Sequence, residues 1–256
     1  MGRFDSKAQC HWFCPGFLFW LSFIAFVLKA IQLLPGVQSG GEGTSGFYVR
    51  GGGPDQNLIL LDGVPVYNAS HLFGFFSVFN ADAIKNVRLT KGGFPSRFGG
   101  RLSSVLEIDM KEGNMKKIEG EGSVGIISSK LTLQGPIVKD KTSFIISGRR
   151  TYIDALTLPF QNTENNGGYF FYDLNAKANY EIDDRNRVYL SGYFGRDKFY
   201  FNYSEPFDSY KAKFRFGWGN ATGTARWKHI FNPKLFSNTA LIYSFYELAI
   251  SRGIRG

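Results

Sequence analysis

YDLNAKANYEI (172–182) alternates without a break. Tyr172, Leu174, Ala176, Ala178, Tyr180 and Ile182 fall on one face of an extended chain, and Asp173, Asn175, Lys177, Asn179 and Glu181 on the other. Successive side chains of a β-strand point to opposite sheet faces, so the stretch predicts a strand with one apolar and one polar face. Two environments produce that pattern: a half-buried strand of a water-soluble sheet, and a membrane-barrel strand between lipid and a wet lumen. Alternation alone leaves both open.

Working outward, the same texture holds from about residue 115 to the last residue. Seven strands are expected, at about 117–126, 129–136, 142–155, 170–182, 186–199, 213–230 and 235–247. Short polar turns at Lys139-Asp140-Lys141, Asp183-Asp184-Arg185 and Asn232-Pro233-Lys234 alternate with longer segments at 156–169 and 200–212. That rhythm suits an outer-membrane barrel, with short periplasmic turns and long outer loops. The first hairpin, around Ile127 and Ser128, departs from it with a tight outer connection. In 213–230, Gly217, Gly219, Ala221, Gly223, Ala225 and Trp227 share one face, and Asn220, Thr222, Thr224 and Arg226 the other. Trp227 then lies near a strand end, where an interfacial aromatic girdle or the edge of a core would place it. A mean hydropathy of −0.16 is compatible with a barrel, whose apolar band occupies every second residue.

Composition agrees with β-structure. Among 256 residues there are 26 Phe, 13 Tyr and 31 Gly, but three Met; aromatics fit a pleated surface and glycines serve turns and bulges. The net charge of +9 comes from 30 basic residues interleaved with 21 acidic ones. Without a basic stripe, nucleic acid is not an expected partner, whereas anionic surfaces such as lipopolysaccharide or a phosphorylated ligand stay open. The two cysteines, Cys10 and Cys14, supply neither a disulfide framework nor a four-ligand zinc site.

Residues 28–114 read differently. KAIQLLPGV (29–37) starts as a short helical piece and stops at Pro35-Gly36, FYVRGGG (47–53) gives a strand running into three glycines, and NLILLDGVPV (57–66) gives a strand ending at Asp62-Gly63. Leu58 to Leu61 are consecutive apolar residues, as in a strand buried on both faces. Asn80 is placed to cap a helical turn before the strand NVRLTKGG (86–93), and another strand runs from Ser104 to Met110.

The ordered pieces VRGGGPDQNLILLDGVPV (49–66) and AIKNVRLTKGGFPSRFGGRLSSVLEIDMKEG (83–113) resemble the plug domain of TonB-dependent outer-membrane receptors, in wording most similar to those of Bacteroidetes-type bacteria. The resemblance implies a mainly β fold: an α+β plug domain (28–114), then the first strands of an incomplete outer-membrane β-barrel (115–256), in a family whose barrels have roughly 22 strands around the plug. Residues 28–114 are thus expected against or inside the curve of the later sheet. Residues 1–27 match nothing in the family. Their apolar run from Trp12 to Val27 fits an unusual signal, an anchor helix or a foreign start, and few contacts with the remainder are expected. No TonB box is recognisable.

The resemblance also implies a function: energised uptake of a scarce nutrient such as an iron chelate, a cobalamin-like cofactor or an oligosaccharide, in the cell outer membrane. Implied partners are outer-membrane lipid, the TonB complex and the nutrient, with a surface lipoprotein as a further one; no resident cofactor is implied. Ligand contacts in the family come from plug apices and outer loops, which singles out Tyr200, Phe201, Tyr203 and Tyr210. Arg50, Arg97 and Arg101 are candidates for ion pairs between plug and barrel wall. Gly51, Gly52, Gly53, Gly92, Gly93, Gly99 and Gly100 are expected to serve backbone geometry, Asp62 a turn, and His71 the core or a loop. No nucleophile elbow, phosphate-binding loop or H-E-x-x-H is present, so no enzyme is expected. The competing reading is an anchored or surface-attached β-sandwich binding module, which calls for shorter strands buried on their apolar side.

Overall fold

The turn at Asp62-Gly63 organises the first part of the chain. In the computed structural model, which describes residues 26–41, 46–161, 165–204 and 211–255, both turn residues have positive φ, 48° and 83°. This is the type I′ geometry that Asp-Gly favours, and it joins β3 (Asn57–Leu61) to β4 (Val64–Pro65) with Leu61 opposite Val64. The Asp62 backbone N–H donates to the Ile108 carbonyl at 2.8 Å, and its Oδ1 accepts the Met110 N–H at 3.0 Å. Asp62 is therefore a turn residue tied to the neighbouring strand. Residues 1–25, which include Cys10, Cys14 and nearly all of the segment set apart at 1–27, lie outside the described residues, as does Tyr210.

The chain divides into two compact units, Met1–Glu112 and Gly113–Gly256. In the first, α1 (Phe26–Gln32) ends before Pro35-Gly36 and buries Leu28 and Ile31. A short antiparallel pair follows, β1 (Val37–Ser39) with β2 (Phe47–Val49). Further on, β5 (Ser70–His71) pairs with β6 (Phe76–Ser77), and His71 is buried there at 1% exposure. Asn80 accepts the Asp82 N–H at 3.2 Å and caps a 3₁₀ turn over Ala81–Ala83. β7 (Ile84–Lys91) and β8 (Ser104–Met110) complete a mixed sheet of order β4-β3-β8-β7, with β8 parallel to β3 and antiparallel to β7. Central β8 supplies the core: Val105, Leu106, Ile108 and Met110 are all nearly inaccessible. Each such side chain contributes about 1.5–3 kcal/mol of burial. Of the four apolar residues of β3, Leu60 and Leu61 are buried and Leu58 and Ile59 half-buried, so apolar burial on both faces holds for its C-terminal half alone.

Polar stitches fix the glycine loop after β2. Asn57 Nδ2 donates to the Phe47 carbonyl at 2.8 Å and its Oδ1 accepts the Ser104 hydroxyl at 2.7 Å. Ser103 Oγ donates to the Val49 carbonyl at 2.7 Å. Gly52 lies so close that a Cβ there would fall 2.5 Å from Ser103 Cβ. Only glycine fits at that approach.

Among the described residues the second unit is one antiparallel sheet of seven strands in sequence order: β9 (Glu119–Val124), β10 (Ser128–Val138), β11 (Thr142–Thr151), β12 (Asn166–Asp183), β13 (Asn186–Ser204), β14 (Lys211–Asn232) and β15 (Leu235–Arg255). Boundaries shift from the sequence reading for local reasons. Asn114 Oδ1 accepts the N–H groups of Lys116 and Lys117, and β9 begins only at Glu119. β11 ends at Thr151, because Leu156 N–H turns back to the Tyr152 carbonyl and α2 (Ile153–Thr157) forms. β13 and β14 run past 199 and 213, since Tyr200 to Ser204 pair with Arg215 to Lys211 and close their backbone bonds as a ladder. Strands of 18 to 22 residues exceed the roughly 9–11 that cross a bilayer.

The Asn57 clamp yields a stability prediction. Asn57→Ala removes donors and an acceptor from a buried site and should lower stability by about 2–3 kcal/mol, read from the denaturant midpoint, with Ser104→Ala costing less and the double variant less than the sum. Additive losses would show that the two side chains do not act together.

Candidate functional site

The sheet of the second unit has inverted faces. Asp173, Asn175 and Asn179 of β12 are 3%, 3% and 1% exposed, while Leu174, Tyr180 and Ile182 between and beyond them are 47%, 47% and 48% exposed. Register carries the inversion across neighbours. Leu174 opposes Phe194 of β13, which opposes Ala221 of β14 and then Phe245 of β15. On the other face Arg149 of β11 opposes Asp173, and Asn175 opposes Tyr193 and then Thr222. The polar face is thus the buried one on β11 to β14.

A charged cluster lies at the middle of that polar face. Arg149 donates from Nε at 2.9 Å and from Nη2 at 2.6 Å to Asp173 Oδ2, with both side chains at or below 4% exposure. The guanidinium also lies 5.0 Å from the Phe171 ring centroid, a cation–π contact. Tyr169 donates its hydroxyl to Asp197. Thr132 and Ser147 hydroxyls bond at 2.7 Å, and Ser143 N–H donates to Asn179 Oδ1. The buried Tyr193 hydroxyl and the Nδ2 of Asn175, directly opposite, have no hydrogen-bond partner among the described residues. Two unmet polar groups facing each other suit a bridging water or one polar group of a guest. The arrangement binds and orients polar groups. Among the described residues no cluster of His, Cys, Asp and Glu suits a metal ion.

On the apolar face, a shallow hollow of about 480 Å³ has Ala176, Gly192, Gly223 and Ala225 among its lining, with Leu190 and Leu241 beside them. Near the short turns, Trp227, His229 and Phe231 form an aromatic column with centroid separations of 5.4 and 4.3 Å, and Trp227 Nε1 donates to Asn186 Oδ1 at 3.1 Å. An aromatic group at the end of an apolar face, with its N–H satisfied, matches an interfacial anchor.

The residues singled out from sequence are dispersed. Tyr200, Phe201 and Tyr203 lie in β13 rather than in a connection, with Tyr200 on one face, over Gly168, and Phe201 and Tyr203 on the other. Arg97 sits 4.6 Å from the Phe98 ring centroid and 3.9 Å from Glu107, an ion pair inside the first unit. Arg50, at φ 50°, is exposed, and its backbone N–H donates to the Gly36 carbonyl. Arg101 donates to the Gly100 carbonyl at 2.8 Å. Sequence reasoning missed the Arg149–Asp173 pair, although both residues occupy polar-face positions of strands it expected to be adjacent.

Comparison with known proteins bears on the first unit. Residues 26–104 match the family model described as the TonB-dependent Receptor Plug Domain, and the cell outer membrane is the compartment this indicates. Among solved structures, the chain is similar to the siderophore receptor PirA from Pseudomonas aeruginosa, at 14% identity and a TM-score of 0.48, covering 90% of this chain and 46% of that one. It is also similar to PirA from Acinetobacter baumannii (16%, 0.48, 86% and 46%) and to BauA, the ferric preacinetobactin receptor of the same organism (10%, 0.47, 86% and 44%). The chain spans less than half the length of these structures. No curated protein matches it.

The buried ion pair gives a second prediction. Arg149→Met strands the Asp173 carboxylate in a buried site and should cost about 3–5 kcal/mol, whereas Arg149→Met combined with Asp173→Leu should recover most of it. The denaturant midpoint of the protein with its surrounding sequence intact reports both. A double variant as weak as the single one would show that the pair does more than neutralise itself.

Proposed function

We propose that the chain is the plug-bearing part of a TonB-dependent outer-membrane receptor that admits a scarce nutrient, with further strands completing its barrel. The observation that carries this reading is the inverted sheet of the second unit, joined in one chain to a plug-domain match. A polar buried face and an apolar exposed face are what a barrel wall presents to its lumen and to lipid. Long connections at one rim and short turns at the other set the outer and periplasmic ends. The β-sandwich reading is disfavoured, because a sandwich buries the apolar side of each strand.

Iron chelates come first among the candidate ligands, since the solved structures quoted above are named as receptors for siderophores or ferric siderophores. The polar row through Arg149, Asp173, Asn175 and Tyr193 would line the lumen. Phe201 and Tyr203, on the lumen side of β13, are the aromatic candidates for contact with a chelate or sugar ring, together with Tyr210 of the connection, whereas Tyr200 falls on the outward face; Arg50, Arg97 and Arg101 are the candidate plug cations for the barrel wall. Coupling to a TonB complex would supply the energy, and Bacteroidetes-type receptors and a surface lipoprotein partner remain part of the proposal.

Deletion of the gene in its own organism should abolish accumulation of one class of radiolabelled ferric chelate, and a protonophore should abolish the same accumulation in the parent strain. Uptake that survives the protonophore, or recovery of the protein in the soluble fraction, would overturn the reading.

A separate expectation follows from the sheet. Seven strands cannot close around a domain of this size, because barrel diameter grows with strand number. The chain refolded alone in detergent should show neither a heat-modifiable gel shift nor uptake into liposomes; both together would contradict the need for further strands.

A further inference from the structure

The two long connections differ in chemistry. Between Tyr152 and Gln161 the one charged side chain is Asp154, whereas the second connection carries Glu205 and Asp208. The first folds as α2 followed by a 3₁₀ turn over Leu158–Phe160. Leu156, Leu158 and Phe160 are 41%, 56% and 89% exposed there.

This segment bonds its backbone locally and is held at both ends. Tyr152 ties its start to the first hairpin, donating its N–H to the Ile127 carbonyl at 3.0 Å and its hydroxyl to the Gly125 carbonyl. Leu156 N–H donates to the Tyr152 carbonyl, and the Thr157 hydroxyl lies 3.1 Å from the carbonyls of both Ile153 and Asp154. Gln161 closes the far end, where its Oε1 accepts the Gly167 N–H at 2.8 Å and its Nε2 donates to the Gly167 carbonyl. A backbone bonded in this way loses less on leaving water. Asp154 is 3.7 Å from Arg150, which shares the exposed face of the sheet with Tyr172 and Arg196. That bridge draws α2 toward the exposed side.

Register gives the depth, measured from Trp227 as the lower interface. From the row of Val188 and Trp227 to the row of Arg196, which also holds Arg150, is eight residues of β13. The rise is about 26 Å along a strand at ~3.3 Å per residue and about 20 Å in height at a barrel's tilt. The apolar band of a barrel wall is about 25 Å tall. Since α2 starts three residues beyond Arg150, it lies close to the upper limit of that band. β13 instead continues eight residues beyond Arg196, to Ser204.

We propose that residues 153–160 lie in the outer leaflet, at the boundary between headgroups and hydrocarbon, with Leu156, Leu158 and Phe160 inserted. Lipid is the occupant of this apolar surface because the segment continues the exposed face of the sheet at the depth where the apolar band ends, on the side to which Asp154 is drawn. An apolar segment of this kind buries its side chains in the interface without spanning the bilayer. It anchors the low rim formed by the first hairpins. The inference rests on the barrel reading above.

The test uses the protein with its surrounding sequence intact, in a cysteine-free background, reconstituted in vesicles of phosphatidylethanolamine and phosphatidylglycerol. A nitroxide spin label is attached in turn at Phe160→Cys, at Leu190→Cys within the apolar face, and at Lys213→Cys further out on the same face. Collisions with oxygen report lipid, and collisions with a nickel chelate report water. The label at Phe160 should be reached by oxygen and be about fivefold less accessible to the nickel chelate than the label at Lys213. Nickel access at Phe160 equal to that at Lys213, with the Leu190 label in lipid, overturns the anchor and leaves the barrel standing. A Phe160 label shielded from both reagents overturns lipid in favour of a protein contact. A Leu190 label in water overturns the barrel reading, and the anchor with it. Should Phe160→Cys fail to fold, Leu158→Cys is read by the same outcomes.

Discussion

The surroundings of the second unit's sheet are constrained by one fact: its hydrocarbon lies on the exposed side. Leu190 is 56% and Leu241 78% exposed, while Asn179 and Asp197 are each 1% exposed. In water this arrangement forfeits about 1.5–3 kcal/mol for each large apolar side chain left uncovered. A one-residue slip of register would exchange the faces. The pairing instead runs in continuous register through Leu174, Phe194, Ala221 and Phe245, so the inversion belongs to the whole sheet. In the proposed barrel, hydrocarbon outside would resolve the conflict, with the aromatic column at Trp227 near one of its boundaries.

Backbone accounting adds a second constraint. Within the ladder each strand from β10 to β14 is paired on both sides, while β9 and β15 form the two edges. An edge of 21 residues, such as β15, presents a row of N–H and C=O groups that lipid cannot satisfy, at several kcal/mol for each one left unpaired. In the barrel proposed above, closure by further strands would remove that cost. The first unit solves its own polar problem differently, with Asn57, Ser103 and Ser104 satisfying carbonyls of a loop too tight for regular pairing.

Most of this architecture was legible in the sequence, because its signals are local. Strict alternation marked the strands, Asp62-Gly63 marked a type I′ turn, and Asn80 marked its capped turn. Boundaries were less legible where pairing overrides composition. The polar and aromatic stretch 200–204 looks like a loop, yet its partners at 211–215 extend the ladder. Tyr152 to Ala155 looks like the end of a strand, yet the chain bends there into a helical turn. The Arg149–Asp173 pair needed register, which only the assembled hairpin supplies.

The central claim is that the exposed side of this sheet faces hydrocarbon, and Leu190 tests it most directly. It sits between Ala178 and Ala225, well inside the apolar face. The measurement is the unfolding free energy of the intact protein in lipid vesicles for Leu190→Arg, against Leu190→Ala as the control for lost volume. At a lipid-facing site inside the bilayer, arginine should cost about 2–4 kcal/mol more than alanine. A difference within about 0.5 kcal/mol, as for an exposed residue in water, would contradict the account.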